Sequence, residues 1–397
     1  MWSYLTSVFS SSSEQPRKQT VKMASGKIEQ PALANHDSSI LDLAFVMDCT
    51  GSMGSYIENA RNNIRKIVED IVANEKSNVC LALVEYRDHP PQDSSFVTRP
   101  HDFTPKVGKM KSWLDECTAR GGGDGPEAVA DGLHQLLKLS WRDAATKIAV
   151  LISDAPPHGL GGGGDGFPNG CPSGLDPMEI TGQLAEKGVT LYVVGCEPSI
   201  CPYKAFFTGL AYLTGGQYVP LAAAKSLTSV IIGGAQEELS LEQWMEEVNQ
   251  EVQAEVQARG ADNFDDDAMA KRLAEGWASR GVMAKQLQRN SAGLGEVSSQ
   301  VKKISKMKNL SDYRKEAPAP ALHSVPSSRR KRSAKLSHAM PARSPMPGMS
   351  SPHPPPGMSS PMSSAEDVYE CNSSSIQLEQ ASRMVQKSKM RNQALFK

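Results

Sequence analysis

From Ser39 to Leu239 short apolar runs alternate with helical patterns, and this alternation constrains the fold more than any other feature of the chain. LDLAFVMD precedes a helical pattern over Tyr56–Ala73, and VCLALVEYRD leads into the edge-like SFVTRPHDFT and helices over Val107–Thr118 and Glu127–Leu139. KIAVLISD, VTLYVVG and QYVPL are followed by helices near Pro177–Lys187, over Tyr203–Leu213 and over Ala222–Leu239. Strands buried on both faces read as almost continuous apolar runs, as Leu43–Met47, Ile148–Ile152 and Val189–Val194 do. The expected class is therefore α/β, a doubly wound, mostly parallel, Rossmann-like sheet with helices on both faces. In such a sheet ligands bind outside the carboxyl ends of the strands, which is where Asp48 and Asp154 fall.

Composition shifts divide the chain into four parts. Residues 1–38 have no usable periodicity and are expected to form a disordered arm, and 39–239 form the α/β domain. In 240–313, Leu241, Trp244, Met245, Val248, Val252 and Val256 recur at steps of three and four, and Leu273 with Trp277, then Val297, Val301 and Ile304, continue the habit. These predict amphipathic helices, packed on the main domain as an appendage or offered for self-association or a partner. Residues 314–397 are dense in Pro, Ser and Met and are expected to be a disordered tail, with one short terminal helix over Ile376–Phe396 that orders on a partner.

The formal net charge of −1 argues against a whole-molecule field that steers the chain to nucleic acid or membrane. The N-terminus lacks the basic and apolar regions of a secretory signal, and no run approaches the roughly 20 apolar residues of a membrane helix, so a soluble cytoplasmic protein is expected. The basic cluster Arg329-Arg330-Lys331-Arg332, with Ser344-Pro345 nearby, adds a nuclear-import reading that phosphorylation would modulate. The seven cysteines lack the spacing of a disulfide framework or a zinc site, and reduced thiols are expected, with Cys171 and Cys201 in loops.

Three sequence-distant pieces carry chemistry. Asp48-x-Thr50-x-Ser52 sits on a turn between strand and helix and supplies hard oxygen donors, which suit Mg²⁺, Mn²⁺ or Ca²⁺ rather than zinc. Gly121-Gly122-Gly123-Asp124-Gly125-Pro126-Glu127 and Ser153-Asp154 provide two further loops. Glu127 suits the first turn of a helix after Pro126, where a carboxylate favours the positive dipole end, or a supporting place at the same site. The long loop Pro156–Pro177, with its glycine run from Gly161, is expected to form a lid or an insertion, and His158 within it to be solvent-exposed. No Ser-His-Asp or Cys-His pairing emerges from spacing, and the glycine run is no Walker loop.

With VMDCTGSMGSYI, VEYRDH, GGGDGPEAV, SDAPPHG and DGFPNGCP in view, residues 40–235 resemble a von Willebrand factor type A domain. The resemblance is to the intracellular subgroup that includes the domain attached to alpha-type protein kinases, here without a kinase lobe. It implies a metal-ion-dependent adhesion site in which Thr50 and Ser52 are direct ligands. Asp48 and Asp154 accept hydrogen bonds from metal-bound water or coordinate directly, and an acidic side chain of a protein partner takes the open position. The cation expected first is Mg²⁺.

Where the family usually has threonine, Asp124 stands in the corresponding stretch. Three ionised acids, Asp48, Asp124 and Asp154, with one divalent ion leave about −1 formally, so tight cation binding and weaker attraction for a carboxylate partner are expected. The leading expectation is a non-enzymatic, metal-dependent module that docks an unidentified protein. The alternatives are a regulatory or targeting protein acting with a kinase in trans, and a metal-assisted hydrolase.

Overall fold

The first strand, β1 (Asp37–Asp48), has parallel neighbours on both edges. The computed structural model describes residues 33–75, 78–160, 164–295, 297–316 and 367–396. The expectations for the N-terminal arm before residue 33, for Gly161–Gly163 and for the basic cluster at Arg329–Arg332 lie outside those residues.

From β1 the chain passes through α1 (Gly54–Glu75), β2 (Asn78–Tyr86), β3 (Thr98–Thr104), α2 (Val107–Glu116), α3 (Val129–Leu136) and β4 (Ala145–Ser153). It continues through α4 (Pro177–Glu186), β5 (Val189–Cys196), α5 (Lys204–Leu213), β6 (Tyr218–Leu221) and α6 (Leu227–Glu242). The six-stranded sheet has the order β3-β2-β1-β4-β5-β6, with only β3 antiparallel at its edge. The strand order reverses direction between β1 and β4, and that switch point opens a crevice beyond their carboxyl ends.

Alternation along β1 sends Leu41, Leu43, Phe45 and Met47 to one face and Ala44 and Val46 to the other. Both faces are covered, which is why the strand reads as a continuous apolar run. On the first face lies the stripe Ile57, Ala60, Ile64, Ile67 and Ile71 of α1, spaced by threes and fours. On the second lie α3, α4 and α5.

The segment after the α/β domain is not purely helical. It comprises α7 (Met245–Arg259), α8 (Asp266–Ser279), β7 (Met283–Arg289), the two-residue β8 (Ala292–Gly293), α9 (Ser299–Ile304) and α10 (Leu310–Glu316). Nor is the tail wholly irregular, because β9 (Tyr369–Ser375) and α11 (Leu378–Arg391) return to the fold. Strands β8, β7 and β9 form a second, antiparallel sheet packed on α6. A Cβ at Gly233 of α6 would lie 2.7 Å from Leu287 Cδ1 of β7, so a larger residue there would push that side chain aside.

The apolar stripe of α7 is consumed inside the chain: Val248 and Val252 pack with Trp277 of α8 and Met384 and Val385 of α11. The surface expected for self-association is thereby covered. The terminal helix finds its partner in its own chain. Arg383, Lys387 and Arg391, four residues apart on one face of α11, pair with Glu237, Glu238 and Glu242 of α6. Arg383 Nη2 lies 2.9 Å from Glu237 Oε1 and Arg391 Nη1 2.5 Å from Glu242 Oε1, and all six side chains are buried. Such pairs are costly to break because removing one member strands a buried charge. Arg383→Met is expected to lower stability by about 3–5 kcal/mol in chemical denaturation, and Met at both 383 and 237 to recover most of that loss. Equal destabilisation in the single and double variants would refute the charge ladder.

Candidate metal centre

Asp48 is the last residue of β1 and is fully buried. Its Oδ1 accepts hydrogen bonds from the Thr50 backbone N–H at 2.9 Å and from Thr50 Oγ1 at 2.7 Å, so the acid shapes the turn that follows it. Thr50 Oγ1 lies 3.4 Å from Ser52 Oγ, and the oxygens run from the buried carboxylate to exposed Ser52. Ser153, at the end of neighbouring β4, donates from Oγ to Asp48 Oδ2 at 3.5 Å and brings the half-buried Asp154 to the same crevice.

Buried Arg87, just beyond β2, fixes the turn. Its Nε donates to the Cys49 carbonyl at 3.1 Å, Nη2 to the Thr118 carbonyl at 2.6 Å and Nη1 to Ser95 Oγ at 2.7 Å, with its guanidinium 4.3 Å from the Phe96 ring centre. The glycine loop closes against the same turn, with Gly51 N–H donating to the Gly121 carbonyl at 3.3 Å. Gly122 has φ +75°, and a Cβ there would meet Glu127 Oε1 at 2.7 Å and Thr50 Cβ at 3.3 Å. Beneath the turn the buried thiols of Cys49 and Cys117 touch at 2.9 Å.

Glu127 therefore does not serve as a helix cap. Helix α3 starts at Val129 with no side-chain cap, while the Glu127 carboxylate is buried beside Thr50 with Oε2 unpartnered. Its pKa is pushed up to about 10, first by burial and then by the charges of Asp48, Asp88, Asp124 and Asp154. Asp48 is raised to about 7 by burial and then by Asp154, partly offset by its hydrogen bonds from Thr50 and Ser153.

Asp124 also faces a second group. Its Oδ2 accepts from the Gly166 N–H at 2.5 Å, and it lies with Asp88 and His158. The histidine expected to be exposed is buried, because both ring nitrogens meet carboxylates: Nε2 to Asp88 Oδ1 and Nδ1 to Asp165 Oδ1, each at 2.8 Å. Burial opposes its charged form, but the two carboxylates outweigh it and raise the His158 pKa. The loop after β4 is thus tied to the end of β2, and Pro157 bridges to Glu127 at its start.

The spacing rules also missed a second convergence: His89, Asp131 and Cys171 meet although they come from three separate segments. Only the unassigned loop cysteine and the VEYRDH and NGCP stretches hinted at it.

The family model described as von Willebrand factor A domain matches residues 42–159, which span both the Asp48 turn and the glycine loop. The chain contains a von Willebrand factor A domain. Over 158 residues it is 28% identical to the alpha-protein kinase vwkA of Dictyostelium discoideum, covering 39% of this chain and 25% of that protein. Over 205 residues it is 26% identical to a protein of Acanthamoeba polyphaga mimivirus named as ariadne-like RING finger, covering 49% and 20%. The chain thus spans a quarter or less of the length of these relatives. Among solved structures, the von Willebrand factor type A protein from Catenulispora acidiphila aligns over 52% of this chain and 43% of that one, at 14% identity and a TM-score of 0.36. The A domain is a protein-interaction fold. Among the described residues no helix is long and apolar enough to cross a membrane.

Within the A domain, Glu127 Oε1 and the Thr50 side chain both border Gly122, Thr50 Oγ1 bonds Asp48, and the charges that raise Glu127 are the carboxylates of Asp48, Asp88, Asp124 and Asp154. A divalent cation is the species that would offset them, and the donors are the hard oxygens such an ion takes. Without one, both acids have pKa values above their unfolded ones of 3.8 and 4.5, so the unfolded chain releases their protons first. Stability of the chelated protein should fall as pH rises from about 4 through 7 on account of Asp48, and from about 4.5 on towards 10 on account of Glu127, by up to about 1.4 kcal/mol per pH unit and proton. Thermal melts in EDTA at pH 5.5, 7 and 8.5 test this. An unchanged slope in Glu127→Gln would contradict it.

Proposed function

We propose that this A domain is a non-enzymatic, cation-dependent docking module in which Mg²⁺, or in its place Mn²⁺ or Ca²⁺, sits beside Asp48, Thr50 and Ser52 and leaves a position for a side chain of a protein partner. The observation that carries the reading is the convergence of the Asp48, Thr50 and Ser52 oxygens with the unpartnered Glu127 carboxylate at the β1–β4 switch point. Thr50 and Ser52 would supply the hydroxyl ligands, and Asp48, Asp154 and Glu127 the charge. The cation would offset carboxylates that burial otherwise keeps protonated, and would offer a Lewis-acidic site at the solvent-facing end of the crevice.

Asp124 enters this reading through its charge on Glu127 and through its buried Oδ1, which has no partner while Oδ2 is engaged by Gly166. Glu127 adds a further acid to Asp48, Asp124 and Asp154, and the expected reluctance toward acidic partners persists. Hydrolysis is less well supported, because His158, the obvious base, holds carboxylates on both ring nitrogens.

Isothermal titration with Mg²⁺ and Mn²⁺ tests the cation. Asp48→Ala and Glu127→Gln are expected to lower affinity at least about tenfold, and Asp124→Thr to change it less. Affinity that survives Asp48→Ala would sink the proposal. Affinity purification with and without EDTA tests docking, because the partner should leave with the metal. The likeness to vwkA favours, as a second reading, a kinase supplied in trans as that partner. Its test is whether a kinase is among the proteins released by chelation.

A further inference from the structure

We propose that His89, Asp131 and Cys171 form a zinc site, separate from the oxygen-lined centre at Asp48. His89 Nε2 lies 2.9 Å from Asp131 Oδ2 and 3.6 Å from Cys171 Sγ, and Cys171 Sγ lies 3.1 Å from Asp131 Oδ2. Three ligand atoms of the types zinc prefers therefore form a compact triangle. With bonds of about 2.0–2.1 Å to N and O and about 2.3 Å to S, tetrahedral zinc sets its ligands about 3.3–3.6 Å apart. One edge of the triangle already has this length, and the other two need to open by only a few tenths of an ångström.

The shared atom distinguishes a metal site from a catalytic triad. In a nucleophile–histidine–acid relay the nucleophile and the acid occupy opposite nitrogens of the ring. Here both face Nε2. The backbone N–H of Ser173 also donates to Cys171 Sγ at 3.3 Å, a contact that stabilises a thiolate. A thiolate, a carboxylate and a neutral imidazole around Zn²⁺ carry no net charge, which suits a site with His89 and Asp131 buried and the Phe167 ring edge-on to His89 at 5.7 Å. Zinc replaces the protons that the thiol and imidazole direct at Asp131, and they pass to solvent. Half-buried Cys171 leaves the fourth position for water.

The three ligands come from the loop after β2, the first turn of α3 and the loop before α4. Their cross-link fixes the loop that carries Cys171, which already bears on the rim through the adjacent pair of Asp88 and His158. The ligand is a borderline-soft divalent ion, whereas the Asp48 centre calls for a hard one.

The test uses the full chain, stripped of metal and titrated with Co²⁺ in excess Mg²⁺. A thiolate-to-cobalt charge-transfer band in the near ultraviolet, saturating at one equivalent and reversed by Zn²⁺, is expected. Cys171→Ser should abolish the band, His89→Gln should weaken Co²⁺ binding tenfold or more, and Asp48→Ala should leave it unchanged. Absence of the band, or its survival in Cys171→Ser, overturns the site. Alkylation of the unmutated chain by iodoacetamide, mapped by mass spectrometry, gives an arm free of folding defects. Cys171 should be shielded by one equivalent of Zn²⁺ and labelled after chelation, and equal labelling in both states overturns the proposal.

Discussion

A carboxylate with no exposed surface ends the central strand, and much of the rim is organised around it. Asp48 has no room to turn away from the crevice, because β1 is paired on both edges and covered on both faces. Its oxygens must be met by hydrogen-bond donors, and the turn supplies them from Thr50 while β4 supplies Ser153. Arg87 then holds the outer side of that turn through the Cys49 carbonyl, so the geometry of the rim rests on a buried guanidinium as much as on the acid itself. The glycine loop fits only because Gly122 leaves space between Thr50 and Glu127.

The sheet was legible because doubly covered strands leave an uninterrupted apolar signature, and the Asp48 turn because its residue types and spacing are local. What was not legible depends on pairs far apart in sequence. Glu127 reads as a helix-start carboxylate by position, and only the fold shows it buried with an unpartnered oxygen. His158 reads as exposed because nothing nearby in sequence announces Asp88, 70 residues earlier. Asp124 sits in the expected stretch, and only the fold shows one of its oxygens on the Gly166 N–H and the other buried without a partner.

Strand β7 escaped for another reason. Its residues Ala284 and Leu287 are the buried ones, and that spacing of three looks helical. Strand β9, YECNSSS, is polar along most of its length, and pairing with β7 rather than its own composition makes it a strand. The helix after it was visible as a weak pattern. Its burial was not, since the basic residues that suggest solvent are the ones that meet the acids of α6.

That meeting has a consequence for how the molecule comes into being. Helix α6 emerges from the ribosome carrying three glutamates whose guanidinium and ammonium partners on α11 come much later, and the last of them, Arg391, follows Glu242 by 149 residues. At a synthesis rate of roughly 5–20 residues per second, the wait is on the order of ten seconds. During that interval the face of α6 that later receives α11 carries unpaired carboxylates that favour water over burial. The A-domain sheet can assemble early, but its outer wall closes only when a distant, basic helix arrives.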